Sequence, residues 1–186
     1  MPAIISSTAP VRSARNLVWI DLEMTGLDPG EDVILQAALV VTTADLEPLA
    51  QVAVYLHQPE AALARMTPFV RDMHTRTGLI EHVRRSSTDL AEAERLLLET
   101  VKAWCEPSAT LCGNSVWADR RFIVRYMPAL DALLHYRVVD VSSIKVLADR
   151  WFGPSAVFEK PTTGAHDAAV DIQNSKIGRA SCRERV

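Results

Sequence analysis

Asp21-Leu22-Glu23 is the first place in this chain where residue types and spacing could do chemistry. The triplet lies inside the apolar run LVWIDLEMT (17 to 25). On a strand, residues i and i+2 leave by the same face, so both carboxylates project together among Trp19, Ile20 and Leu22. Like charges that close destabilise each other unless a cation lies between them, and an all-oxygen site suits Mg²⁺ or Mn²⁺. The plainer alternative is a strand end with two solvated acids. Asp119, behind Gly113-Asn114-Ser115, falls at a helix start, where the helix dipole favours a carboxylate, so capping competes with metal binding. Arg120 and Arg121 beside it are either phosphate contacts or a solvated face. His166 follows Thr162-Thr163-Gly164, a flexible turn, and Asp171 comes five residues later. Imidazole titrates in the range suited to taking a proton from water, although a helix-start histidine beside an ordinary helix acid fits the same spacing.

Taken together, four acids on three separate elements with a mobile histidine describe a two-metal phosphoryl-hydrolysis site. Ions about 3.5 to 4 Å apart acidify an attacking water on one side and stabilise the leaving oxygen on the other. Four carboxylates balance two divalent charges. His57, His74, His82 and His135 share no such arrangement and read as structural or surface groups, and Trp19, Trp104, Trp117 and Trp151 as core.

The elements that must position these residues follow from the apolar pattern. Residues 17–25, 32–45 and 49–57 form three apolar runs joined by turn-forming or short polar connections, which predicts an antiparallel meander. Pro59 to Arg65 and Pro68 to Thr75 suit short helices with proline in the first turn. Thr88 and Asp89 offer caps for a longer helix, in which Leu90, Ala93, Leu97, Val101 and Trp104 make one stripe. ATLCG (109 to 113) and Tyr136 to Asp140 read as strands, Ala118 to Met127 and Ser142 to Trp151 as helices, with a last helix from Ala165. Strands first and then alternating helices and strands predict an α/β domain with a mixed sheet.

The 186 residues are 48% hydrophobic and 23% charged, with 7 Gly and 10 Pro, which fits one globular domain and excludes disordered, collagenous and disulfide-rich classes. Cys105, Cys112 and Cys182 form no CxxC pair and have no histidines at zinc spacing. No apolar run approaches the roughly 18 to 20 residues of a membrane span, and no secretory leader pattern opens the chain, so a soluble, cytoplasmic protein is expected. The net charge is −3, but four of the basic residues fall in Lys176 to Val186 against one acid, leaving 16 basic and 22 acidic side chains in residues 1–175, a net −6. A broad basic channel for long nucleic acid is not expected from that balance. The segment 176–186, KIGRASCRERV, breaks off a helix pattern and matches one reading frame of a common sequencing-library adapter, so it is expected to be an artefact that cuts the last helix short. The expected organisation is a mobile tail over 1–15, a catalytic domain over 16–175 and this added tail.

At WIDLEMTGLD, GNSVWADRRF, HYRVVDVSSIKVLADRW and GAHDAAVDI the chain resembles the oligoribonucleases of the DEDDh 3′-to-5′ exonuclease superfamily, from about Asn16 to Ser175. The resemblance implies a ribonuclease H-like fold with a five-stranded mixed sheet. It implies removal of nucleoside 5′-monophosphates from the 3′ end of very short RNAs, chiefly dinucleotides, with two Mg²⁺ or Mn²⁺ ions. It makes Asp21, Glu23, Asp119 and Asp171 the metal ligands and His166 the general base. Leu27 matches the residue that wedges against the bases, and Phe69 stands where the family often carries a stacking tryptophan. Ser115, Arg137 and Ser142, with Ser143, match the pocket that caps the 5′ phosphate. His135-Tyr136-Arg137 matches a segment near a homodimer interface, where the tyrosine reaches the partner's active site. Two departures stand out: Gln36 replaces a usual acid, and Val170 replaces the first of two consecutive acids while the ligand Asp171 is kept. Competing readings are a DNA-proofreading or tRNA-trimming exonuclease and an inactive dinucleotide-binding module.

Overall fold

The computed structural model describes residues 9–154 and residue 172. His166, Asp171, the remainder of the expected last helix and the segment 176–186 lie outside the described residues. The three opening runs form β1 (Leu17–Met24), β2 (Ile34–Thr42) and β3 (Pro48–Tyr55), paired antiparallel as the meander predicts. They are followed by the short helices α1 (Glu60–Leu63), α2 (Pro68–Arg76) and α3 (Leu79–Arg85), then by α4 (Leu90–Trp104). The second half runs β4 (Ala109–Gly113), α5 (Val116–Tyr126), α6 (Pro128–Asp131), β5 (Leu134–Asp140) and α7 (Val141–Phe152). The result is a five-stranded mixed sheet of order β3-β2-β1-β4-β5, with β4 parallel to both β1 and β5.

The apolar periods explain the layers. Asp89 caps α4 by accepting the Glu92 amide, and the stripe Ala93, Leu97, Val101 and Trp104 is buried against Ala37, Leu39 and Val41 of β2. β2 is buried along its whole length because both faces of the sheet are covered there. Its Ala38 and Val40 join Trp19, Cys112, Val141 and Ile172 on the other face, while Leu35 packs under α1–α3 among Leu63, Met66, Leu79, Ile80 and Val83.

Several expectations change. α3 and α6 were not legible in sequence, being too short for a helical period to repeat; α3 starts behind Gly78, whose φ of 76° ends α2. α5 begins at Val116, two residues earlier than expected, because Ser115 takes a left-handed conformation. Trp117 and Trp151 are exposed, not core; their neighbours on α5 and α7 carry the buried stripes. In the N-terminal stretch expected to be mobile, Ser13 bridges Cys105 and donates its amide to the Trp104 carbonyl, which ties the chain to the end of α4. No helix among the described residues is long and apolar enough to cross a membrane.

One topological feature prepares a site. β1, β4 and β5 run parallel, so their C-terminal ends share one edge of the sheet, where α/β proteins commonly place ligands. β4 pairs with β1 only at Leu17 to Trp19 and then departs at Gly113. A side chain at Gly113 would come within 2.8 Å of the Ile20 carbonyl oxygen, so glycine lets the strands approach just before they separate. Past that point the β4 side of β1 is open to groups from α5.

Candidate active site

Asp119 fills that opening. It sits in the first turn of α5, and its Oδ1 accepts the main-chain amide of Leu22 at 2.9 Å. Leu22 is the residue between Asp21 and Glu23, so Asp119 is moored to the strand that carries both. Glu23 and Asp119 are buried and Asp21 is partly so. Burial pushes the Asp119 carboxyl up to about 7; the Leu22 hydrogen bond opposes this, and the Asp140 carboxylate adds to it. A buried acid of that kind is unfavourable as an anion unless a cation compensates it.

The donors are hard oxygens, two of them on β1 and the third on the first turn of α5 moored between them, and such a set suits a divalent cation. Among the described residues no three His, Cys, Asp or Glu side chains by themselves enclose an ion. Asp119 has one oxygen turned to the Leu22 amide, and Asp171 lies outside the described residues. Ile172, the residue after Asp171, is buried in the same cluster as Trp19, which shares a strand face with Asp21 and Glu23.

Two of the residues matched to the phosphate pocket, Ser115 and Ser142, meet at an acid that sequence reading passed over. Asp140, at the end of β5, caps α7, and its Oδ1 accepts the Ser142 amide at 2.9 Å, the Ser142 hydroxyl at 2.6 Å and the Ser115 amide at 2.9 Å. One carboxylate oxygen therefore joins the β4–α5 turn to the β5–α7 turn. Ser143 is exposed in the first turn of α7. Arg137 is three residues before Asp140, exposed, with its guanidinium 5.3 Å from the centre of the Tyr136 ring. No hydrogen bond joins Arg137 to Ser115 or Ser142 among the described residues. The signal for Asp140 was its place before two serines at a helix start, which is a capping pattern.

Leu27 stands on the turn after β1 with 70% of its surface exposed, and Phe69 on the first turn of α2 with 74%. The Leu27 turn is braced by Asp32, which accepts from Thr25 Oγ1 at 2.8 Å and from the Asp28 amide at 3.0 Å; a side chain at Gly26 would strike the Asp32 carboxylate. Arg120 is a strut, paired with Asp131 at 3.1 Å and donating to the His135 carbonyl, while Arg121 donates to the Leu27 carbonyl at 3.4 Å. His74, read from sequence as structural or surface, is wholly buried behind Glu23.

The sheet order is that of the ribonuclease H-like class, and solved exonuclease structures agree in fold. E. coli exonuclease I in complex with a 5cy-dT13 oligonucleotide superposes with a TM-score of 0.70 at 14% identity, over 93% of this chain and 41% of that one. Exonuclease I from Methylocaldum szegediense gives 0.66 at 19% identity, over 91% of this chain and 40% of that one. This chain thus spans about two fifths of those proteins. The exonuclease family model RNase_T matches residues 18–177. The oligoribonuclease of Mycolicibacterium paratuberculosis is 50% identical over 163 residues, 86% of this chain and 75% of that protein. That of Pseudomonas syringae is 45% identical over 167 residues, 89% and 92% of the two chains. The chain belongs to the oligoribonuclease family.

Proposed function

We propose that this chain is a cytoplasmic 3′-to-5′ exoribonuclease that cleaves short oligoribonucleotides, chiefly dinucleotides, to nucleoside 5′-monophosphates. The observation that carries the reading is the mooring of Asp119 to the Leu22 amide, between the two acids of β1. Asp21, Glu23, Asp119 and Asp171 would hold two Mg²⁺ or Mn²⁺ ions, which supply an acidified water and charge compensation for the leaving oxygen when bound. His166 removes the proton of the attacking water as its oxygen bonds to phosphorus. The bond from phosphorus to the 3′ oxygen of the preceding nucleotide breaks, and that oxygen takes a proton from solvent, leaving a 3′ hydroxyl there and a 5′-monophosphate on the released nucleotide.

Leu27 and Phe69, two large apolar side chains kept in water, suit contact with base faces. Ser115, Arg137, Ser142 and Ser143 would close around the 5′ phosphate, which leaves no room for a third nucleotide. In the present arrangement the Ser142 hydroxyl donates to Asp140, so phosphate binding requires that hydroxyl to turn or the exposed Arg137 and Ser143 to supply the donors. A homodimer is supported by an apolar face of Trp117, Val124, Tyr136 and Val138, all exposed, lining a depression of about 490 Å³ between α5 and β5. A second copy would cover it and bring Tyr136 toward the partner's site.

The test is hydrolysis of a 5′-labelled RNA dinucleotide with Mg²⁺, Mn²⁺ or EDTA, beside a seven-nucleotide RNA, a tRNA with an extended 3′ end and a mismatched DNA primer. Metal-dependent release of the 5′-monophosphate, fastest from the dinucleotide, is expected. Faster turnover of tRNA or DNA would replace the reading with trimming or proofreading. Binding of the dinucleotide without hydrolysis would make the chain a binding module.

A further inference from the structure

Glu23 is held from behind by a residue for which the chemistry above has no use. His74 projects from the inner side of α2 and has no exposed surface, and its Nε2 lies 2.9 Å from the Met24 carbonyl oxygen. A carbonyl only accepts, so Nε2 carries the proton and the other ring nitrogen, Nδ1, is turned toward Glu23, 3.9 Å from Oε2. The two contacts fall on successive residues of β1, at the point where the register with β2 shifts between Glu23 and Met24. Such a bulge interrupts the ladder and re-aims the adjacent side chain, and here it sends Leu35 into the α1–α3 cluster. The strand end that carries Glu23 therefore takes a main-chain restraint from a helix 50 residues away.

A buried imidazole loses hydration that a leucine or phenylalanine at the same place would not, so packing alone does not account for it. Phe69 is on the same helix, five residues earlier, about 140° around the axis, which is why one side chain faces water while the other faces β1. One histidine thus touches the end of β1 beside Glu23 and sits on the helix that presents Phe69.

We propose that His74 is a positioning residue for Glu23, setting the carboxylate for metal binding through its hydrogen bond to the Met24 carbonyl. The proposal rests on the reading of Glu23 as a metal ligand. Partners that orient a ligand carboxylate typically matter by about 10- to 100-fold in metal affinity.

The test compares two amides of different reach, with Mn²⁺ binding to the substrate-free protein measured by calorimetry. In His74→Gln the side-chain amide reaches the Met24 carbonyl; in His74→Asn it stops one methylene short. His74→Gln should bind Mn²⁺ within about threefold of the parent, and His74→Asn should bind at least about tenfold more weakly. The same ordering should appear in the Mn²⁺ concentration that half-saturates turnover. Equal affinity of His74→Asn and the parent, or equal loss in both variants, overturns the positioning role. Glu23→Gln is the control: if it too binds Mn²⁺ as the parent does, the metal-site reading fails; if it loses affinity while His74→Asn keeps it, only the role of His74 fails. Should neither variant fold, the unsubstituted protein decides. Its His74 Nε2–H resonance should shift on addition of Mg²⁺ while that of His82, stacked on Tyr55, stays in place; an unmoved His74 resonance overturns the proposal.

Discussion

The Oδ1 atom of Asp119 accepts the amide of Leu22 at 2.9 Å, across 97 residues of sequence. This bond makes one unit of β1, which carries Asp21 and Glu23, and α5, which carries Asp119. It exists because β4 leaves β1 after Trp19, so that the Leu22 amide is offered to a side chain instead of to a strand. The cost is a carboxylate in a nearly dry place, and that cost has a sign that can be measured.

Burial raises the Asp119 carboxyl from 3.8 to about 7. Between those values the folded protein retains a proton that the unfolded chain has released, so stability falls as pH rises from about 4 to about 7. In EDTA, urea unfolding should therefore show a protein less stable at pH 8 than at pH 5, by up to a few kcal/mol from this group. Mg²⁺ or Mn²⁺ should recover most of the difference. Asp119→Asn keeps an acceptor for Leu22, so it should flatten the pH dependence, raise stability in EDTA and remove nearly all turnover. Equal pH slopes in the two proteins would show that Asp119 is already ionised at pH 5.

Gln36 lies directly opposite Glu23 in the β1–β2 register, so the two buried side chains leave the same face of the sheet. An acid there would add a like charge beside a carboxylate that already lacks water. Gln36→Glu should destabilise the metal-free protein by about 1 kcal/mol or more and increase the thermal shift produced by Mg²⁺. An unchanged melting temperature in EDTA would mean that the new acid is protonated or turned away.

Asp140 gathers three donors from two turns onto one oxygen. Asp140→Asn retains that oxygen and should behave much as the parent does. Asp140→Ala removes the cap of α7 and frees Ser115, which should cost about 1 to 2 kcal/mol and raise KM for dinucleotides more than for a seven-nucleotide RNA. A uniform rise in KM at both lengths would separate Asp140 from the 5′-phosphate pocket.

Val138 sits in the exposed apolar face with Trp117, Val124 and Tyr136. If a second copy covers this face, Val138→Asp buries a charge at the interface and should yield monomers by sedimentation, with turnover reduced because Tyr136 no longer reaches a neighbouring site. A parent protein that already sediments as a monomer would remove the dimer from the proposed mechanism.

The meander, the stripe of α4 and the placing of Asp21, Glu23 and Asp119 on a strand and a helix start were all legible in sequence. Each rests on a local rule: period 2 or 3.6 in the apolar residues, and turn or cap chemistry at the ends. The types of the acids also limited the chemistry, since hard oxygen donors at that spacing suit few partners but divalent ions. What sequence could not supply was the contacts between elements distant in the chain. Periodicity reports that a residue is buried, not against what. The opening in the sheet after Gly113, the bulge that re-aims Leu35, the bond from His74 to Met24 and the three donors on Asp140 depend on pairings between distant segments. Trp117 illustrates the same limit from the other side: its size argued for the core, and only the packing of α5, which turns Val116, Phe122 and Ile123 inward, left it in solvent. Burial of a particular side chain is decided by which face its element presents once the layers are assembled, and that is a property of the tertiary structure.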